Sequence, residues 1–147
     1  MYQRILVTTD GSPLSEKAVA SAIELAALMH AELVALNVVP RYPQSYFEGT
    51  LSLDPQDIAR VEGQWSEQAQ AVVDAIKASA AAKGVVARAV TSRADLVAEA
   101  VIAAAKKYEC DLIVMASHGR RGIRRVLLGS ETQHVLTHSH IPVLVLR

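Results

Sequence analysis

The sequence predicts an α/β protein built on an open, five-stranded parallel sheet with helices on both faces. Three observations carry that prediction. Strand-like and helix-like stretches alternate along the 147 residues, the pattern of parallel strands joined by crossover helices. Hydrophobic residues make up 51% of the chain but aromatic ones only 4%, so the interior is built from Ala, Val, Leu and Ile, with Ala suited to helices and Val to strands. Finally, Asp111-Leu112-Ile113-Val114-Met115-Ala116 is almost continuously apolar, which marks a strand covered on both faces in the middle of such a sheet.

The elements follow in order. Residues 3 to 9 form a short β-rich run, closed by Asp10-Gly11-Ser12-Pro13, where Ser12 caps a helix that has Pro13 at its first position. From residue 14 to 30 Leu14, Ala18, Ala22, Leu25 and Met29 recur at helical spacing as one apolar stripe. Residues 32 to 39 give a second strand, and a strand-helix-strand unit with parallel strands implies a right-handed crossover. Residues 40 to 53 hold Pro40, Pro43, Gly49, Tyr42, Tyr46 and Phe47, a turn-rich stretch near the upper length for a loop without structure of its own, and a candidate flap. A long helix over 54 to 82 carries Ile58, Val61, Trp65, Ala69, Val72, Ile76 and Ala80 as its buried stripe and ends at Gly84. Residues 85 to 91 read as a third strand, after which Ser92 and Asp95 resemble a capping box for a helix running to Tyr108. The fourth strand is 111 to 116. A last short helix spans 130 to 139, and residues 141 to 146 form a fifth strand with Pro142 at its tolerated beginning.

Composition narrows the partners. Fifteen basic and fifteen acidic side chains leave no net charge, so no global field attracts nucleic acid or an anionic membrane. The single Cys110 forms no internal disulfide, and Met1 runs directly toward Ile5-Leu6-Val7 without a signal-like segment, which leads us to expect a cytoplasmic protein. No apolar run approaches the roughly 18 to 20 residues needed to span a bilayer. A single domain over residues 1–147 is expected.

The chemistry concentrates in residues 116 to 130, Ala-Ser-His-Gly-Arg-Arg-Gly-Ile-Arg-Arg-Val-Leu-Leu-Gly-Ser. Small residues at a strand's carboxyl end let backbone N–H groups approach an anion, and Gly129-Ser130 at the start of a helix adds N–H donors and the positive end of its dipole. Neither the P-loop pattern nor the dinucleotide Gly-x-Gly-x2-Gly fingerprint is present. The stretch instead resembles the universal stress protein (UspA-like) family, whose ATP-binding branch shows Gly-x2-Gly-x9-Gly-Ser/Thr after the fourth strand. Gly119, nine residues, Gly129 and Ser130 match it, and Ala116 stands where the pattern has its first Gly. The Val-Thr-Thr-Asp-Gly-Ser opening, Leu36-Asn37-Val38-Val39 and the closing Ile-Pro-Val-Leu-Val-Leu-Arg extend the resemblance over essentially the whole chain.

That resemblance implies a Rossmann-like, adenine nucleotide alpha hydrolase-like sheet in the order 3-2-1-4-5, which places the site at the switch point where ligands of such sheets bind. It implies contact of Asp10 with the ribose, of the Val38 backbone with the adenine edge, and of Gly119, Gly129 and Ser130 with phosphates, with Thr132 in addition. Thr9, Met115, Ala116, Ser117, His118, Arg120 and Glu131 complete the nucleotide-binding set. The ligand implied is ATP, ADP or AMP. No metal site is expected from the protein alone, although Mg²⁺ can arrive with ATP through Ser130.

Other residues have simpler readings. Asp10 beside Gly11 is also an ordinary turn former. The Arg120, Arg121, Arg124 and Arg125 run can meet phosphate or stand solvated, and without interleaved aromatics on a neutral chain it makes no nucleic-acid footprint. His134, His138 and His140 lack a clustered carboxylate or Cys and read as polar helix surface rather than zinc ligands. Cys110 reads as an inert thiol and Trp65 as core.

Three functions fit these residues: a nucleotide-responsive regulatory module acting on an unidentified protein partner, a slow ATPase using Asp10, Glu131 or His118, and a nucleotide-free interaction protein of the same fold. The apolar final strand is a poorly protected edge, which together with the resemblance implies a homodimer through residues 141–146.

Overall fold

The computed structural model describes residues 1–43, 54–119 and 128–147. Five strands, β1 (Arg4–Thr8), β2 (Glu32–Val39), β3 (Ala87–Arg93), β4 (Leu112–Ala116) and β5 (Val143–Leu146), alternate with four helices, α1 (Pro13–Met29), α2 (Pro55–Ala82), α3 (Val97–Lys107) and α4 (Ser130–His138). All strand pairs are parallel, as the alternation predicts, and the order is β3-β2-β1-β4-β5, as the resemblance implies. The suggested flap, with Tyr46, Phe47 and Gly49, and the Arg run from Arg120 to Arg125 lie outside the described residues.

Period-two alternation divides the core into two layers. Ile5 and Val7 of β1 face one side with Leu33, Ala35, Leu112 and Val114, under Ala18, Ala22 and Ala26 of α1 and Val73, Ile76 and Ala80 of α2. Leu6 faces the other with Val34, Leu36, Ile113 and Met115, under Ala98, Val101 and Ala105 of α3 and Val135 of α4. Strands buried on both faces have no polar side to show, which is why β4 reads as an unbroken apolar run.

Helix ends obey local chemistry. Ser12 caps α1 through its Oγ, which accepts from the Ser15 N–H at 3.2 Å, and Pro13 occupies the first turn. At the end of α2, Gly84 takes φ +75°, a conformation that costs glycine little. It lets the Val85 N–H reach the Ala80 carbonyl at 2.9 Å and the Gly84 N–H the Ala81 carbonyl at 3.0 Å, closing a Schellman motif.

Three expectations are corrected. The third strand begins and ends two residues later than predicted, because Ser92 pairs opposite Val38 within the ladder and does not cap a helix. The N-cap of α3 is Leu96, which offers no side-chain acceptor. Trp65 is half-buried and stacks on Tyr42 with ring centroids 6.1 Å apart, outside both core layers. The cause is length: 28 residues of helix span about 42 Å, whereas the eight of β2 span about 26 Å. One end of α2 therefore overhangs the sheet, and its buried positions begin only at Ala69.

Candidate functional site

At the carboxyl edge β1 and β4 are neighbours, yet β1 leads into α1 on one face and β4 leads to α4 on the other. Diverging connections at this point open a crevice above the sheet. Its first wall is a hydroxyl relay. The Gly11 N–H donates to Thr9 Oγ1 at 3.1 Å, Thr9 Oγ1 and Ser15 Oγ share a hydrogen bond of 2.9 Å, and Ser15 Oγ donates to the Ser12 carbonyl at 2.9 Å. Because Ser15 spends its one proton on Ser12, Thr9 must donate to Ser15, so the relay has a single direction. Asp10 is exposed at the rim, and its Oδ1 accepts from the Ser12 N–H at 2.9 Å.

The second wall is the chain on either side of residues 120–127. The Ser117 N–H donates to the Leu146 carbonyl at 2.7 Å, the Gly129 N–H donates to the Ser117 carbonyl at 2.7 Å, and the Thr132 hydroxyl donates to the Ala116 carbonyl at 3.0 Å. The first joins the end of β4 to β5, and the other two tie the start of α4 to the end of β4. The first intrahelical bond of α4 runs from the Gln133 N–H to the Gly129 carbonyl, so the helix supplies no acceptor for the N–H groups of Ser130, Glu131 and Thr132. Those three donors and the positive dipole end stand at the crevice.

The walls meet at Gly119. A Cβ built there would sit 2.6 Å from Asp10 Oδ2, far inside van der Waals contact, so any larger residue requires the Asp10 carboxylate to shift. Gly129 is also crowded, with a Cβ falling 3.3 Å from His118 Cα and 3.4 Å from the Ser117 carbonyl oxygen. Ser117 Oγ and His118 Nδ1 lie 3.2 Å apart.

Val38 stands one strand away. The Leu36 carbonyl accepts from Thr9 N–H on the β1 side, while the Val39 carbonyl accepts from Ala94 N–H on the β3 side. Alternation therefore turns the Val38 backbone toward β1, at a level where β1 has already ended with Thr8 opposite Leu36.

The structure thus brings together Thr9, Asp10, Ser117, His118, Gly119, Gly129, Ser130 and Thr132, with the Val38 backbone facing the same opening. Met115 and Ala116 are buried strand residues whose side chains stay in or beside the core. Ala116 does not take the left-handed conformation that a motif glycine could require. Glu131 turns elsewhere: its Oε2 accepts from the Ala98 N–H at 2.8 Å and caps α3. Arg120 lies outside the described residues. Sequence reading missed Ser15; among the described residues the buried polar side chains are Thr9, Ser12, Ser15, Ser117 and Thr132, all of them at this edge. The available signal was a serine at a helical interval from Ala18, Ala22 and Ala26 on the packed stripe of α1.

Elsewhere, His134 and His138 stack with centroids 4.1 Å apart, and His138 Nδ1 lies 3.0 Å from the His134 carbonyl oxygen. No group of three His, Cys, Asp or Glu that could hold a metal ion occurs among the described residues. No helix among them is long and apolar enough to cross a membrane.

A parallel sheet with its interior hydroxyls gathered at the switch point defines a doubly wound α/β protein with a crevice at the carboxyl edge. The sequence matches the universal stress protein family over residues 1–147. It is 33% identical to universal stress protein MJ0531 of Methanocaldococcus jannaschii, across 100% of this chain and 83% of that protein. The fold superposes on universal stress protein UspA from Lactobacillus plantarum with a TM-score of 0.86 and 27% identity, covering 99% of this chain and 98% of that one. A universal stress protein solved in complex with cAMP is similar at a TM-score of 0.69 and 28% identity, over 99% and 97% of the two chains. The chain belongs to the universal stress protein family.

Proposed function

We propose that this protein binds an adenine nucleotide in the crevice and acts as a regulatory module that reports nucleotide occupancy to another protein. The observation that carries this reading is the close approach of Gly119, three residues past β4, to the Asp10 carboxylate. A hydroxyl-accepting carboxylate and a cluster of N–H donors then face one opening, the pairing that a ribose followed by phosphates requires. The related protein solved with cAMP supports an adenine nucleotide as the ligand class.

In this reading Asp10 accepts from the ribose hydroxyls and the Val38 N–H and carbonyl meet the adenine edge. Gly119, Gly129 and the N–H groups of Ser130, Glu131 and Thr132 receive the phosphates, with His118 beside them; Arg120, also expected to contribute, lies outside the described residues. Thr9, Met115, Ala116 and Ser117 form the supporting wall, and Thr132 also fixes the loop through Ala116. Ser130 is exposed and takes no part in capping α4, so its hydroxyl is available to a Mg²⁺ ion carried by ATP. Glu131 is committed to α3, which disfavours it as the group that orders a hydrolytic water. A second copy paired along β5 completes the assembly.

Calorimetric titration with ATP, with and without Mg²⁺, tests the site. Gly119→Val should weaken binding at least tenfold, because the new side chain must displace Asp10. Equal affinity in the variant would remove the nucleotide from this crevice.

A further inference from the structure

Across the molecule, at the amino edge of the sheet, lies a concave cleft of about 360 Å³ lined in part by Arg4, Glu32, Lys77, Arg88, Lys107 and Tyr108. Arg4 is already satisfied there. Its Nε donates to Glu32 Oε2 at 2.8 Å, its Nη1 donates to the Tyr108 carbonyl at 2.7 Å, and Glu109 Oε2 stands 4.0 Å away. Lys77, Arg88 and Lys107 are different, since none has a carboxylate within 4.0 Å among the described residues.

Two of these cations share one aromatic ring. Arg88 Cζ lies 5.2 Å and Lys107 Nζ 5.4 Å from the Tyr108 centroid, so the two charges stand within about a Debye length of each other at 0.1 M salt. The ring attracts each cation and restrains side chains that would otherwise range freely. It does not neutralise them, so an anion placed between them is attracted to both. Arg4, Lys77, Arg88 and Lys107 line the cleft against the carboxylates of Glu32 and Glu109, a local positive excess in a chain that carries no net charge.

We propose that the amino-edge cleft binds a small linear polyphosphate anion of at least two phosphate groups. A chain of phosphates offers oxygens to cations that arrive from three separate elements, α2, β3 and the end of α3, and the volume falls in the range of small-ligand sites. Arg88 supplies a planar fork for paired oxygens, while Lys77 and Lys107 act as point charges. Tyr108 is occupied in organising the cations, so the ligand is held by its charge and not by stacking of a base. The inference is independent of the nucleotide reading, which concerns the opposite edge.

Titration of the ¹⁵N-labelled protein with sodium tripolyphosphate, at ionic strength matched with sodium chloride, tests it by NMR. Saturable shifts are expected for the amides of residues 87, 88 and 107 to 109, with binding at least tenfold weaker in Arg88→Ala and in Lys107→Ala and unchanged in Gly119→Val. Orthophosphate should bind at least tenfold more weakly than tripolyphosphate. The proposal is overturned by shifts confined to residues 116–119 and 128–132, by shifts that sodium chloride reproduces, by parental affinity in Arg88→Ala and Lys107→Ala, or by equal binding of orthophosphate.

Discussion

Cys110 follows α3 and is buried against the same layer as Leu6 and Ile113. Burial pushes its thiol from the ordinary 9.0 up to about 11, with Asp111 adding to the rise and Arg4 opposing it. The native chain therefore keeps this proton over a range in which the unfolded chain loses it. The resulting stabilisation is complete below about pH 9 and disappears as pH climbs through 11. Urea unfolding from pH 8 to 11.5 should show the parent losing stability more steeply than Cys110→Ala across that window, and parallel slopes would contradict the assignment. The residue scale is also where the sequence was hardest to read. Gly119, Gly129 and Ser130 were legible because their spacing forms a pattern. Ser15 was not, because a buried hydroxyl reveals itself only through partners, and those partners, Thr9 and Ser12, come from a neighbouring strand and turn.

The elements were legible wherever a local signal sets their limits. Ser12-Pro13 opens α1 and Gly84 closes α2 close to where the sequence places them, since caps are chemistry between near neighbours. The start of α3 was misread because its cap comes from another helix. Glu131, in the first turn of α4, accepts from the Ala98 N–H 33 residues away, and no local motif announces such a bond. This contact joins the helix at the crevice to the helix beside it. Glu131→Ala should destabilise the fold by about 1 kcal/mol, as loss of an N-cap acceptor does. Glu131→Gln, which retains a carbonyl oxygen, should cost less. Equal losses in chemical denaturation would show that the hydrogen bond is not the source of the effect.

For the molecule as a whole, the alternation of strands and helices was enough to predict the architecture, because layered packing leaves few arrangements open. What it did not set was how far each helix extends past the sheet, as the overhang of α2 shows. The outer strands β3 and β5 each pair on one side only, and at the β5 edge Leu144 is 42% exposed. If a second copy covers it, Leu144→Lys should halve the mass measured by light scattering while leaving the circular dichroism spectrum unchanged. A parental mass in that variant would place the contact between copies elsewhere.

The strand order carries a further consequence for how this chain is made. β1 is central and needs partners on both sides, yet β2 follows it closely while β4 begins only at Leu112. At ribosomal speeds of about 5–20 residues per second, its second flank stays bare for roughly 5 to 20 seconds after it emerges. A nascent chain of this design therefore leaves one flank of its central, apolar strand uncovered until most of the chain has been made, and the middle of the sheet closes only when β4 arrives.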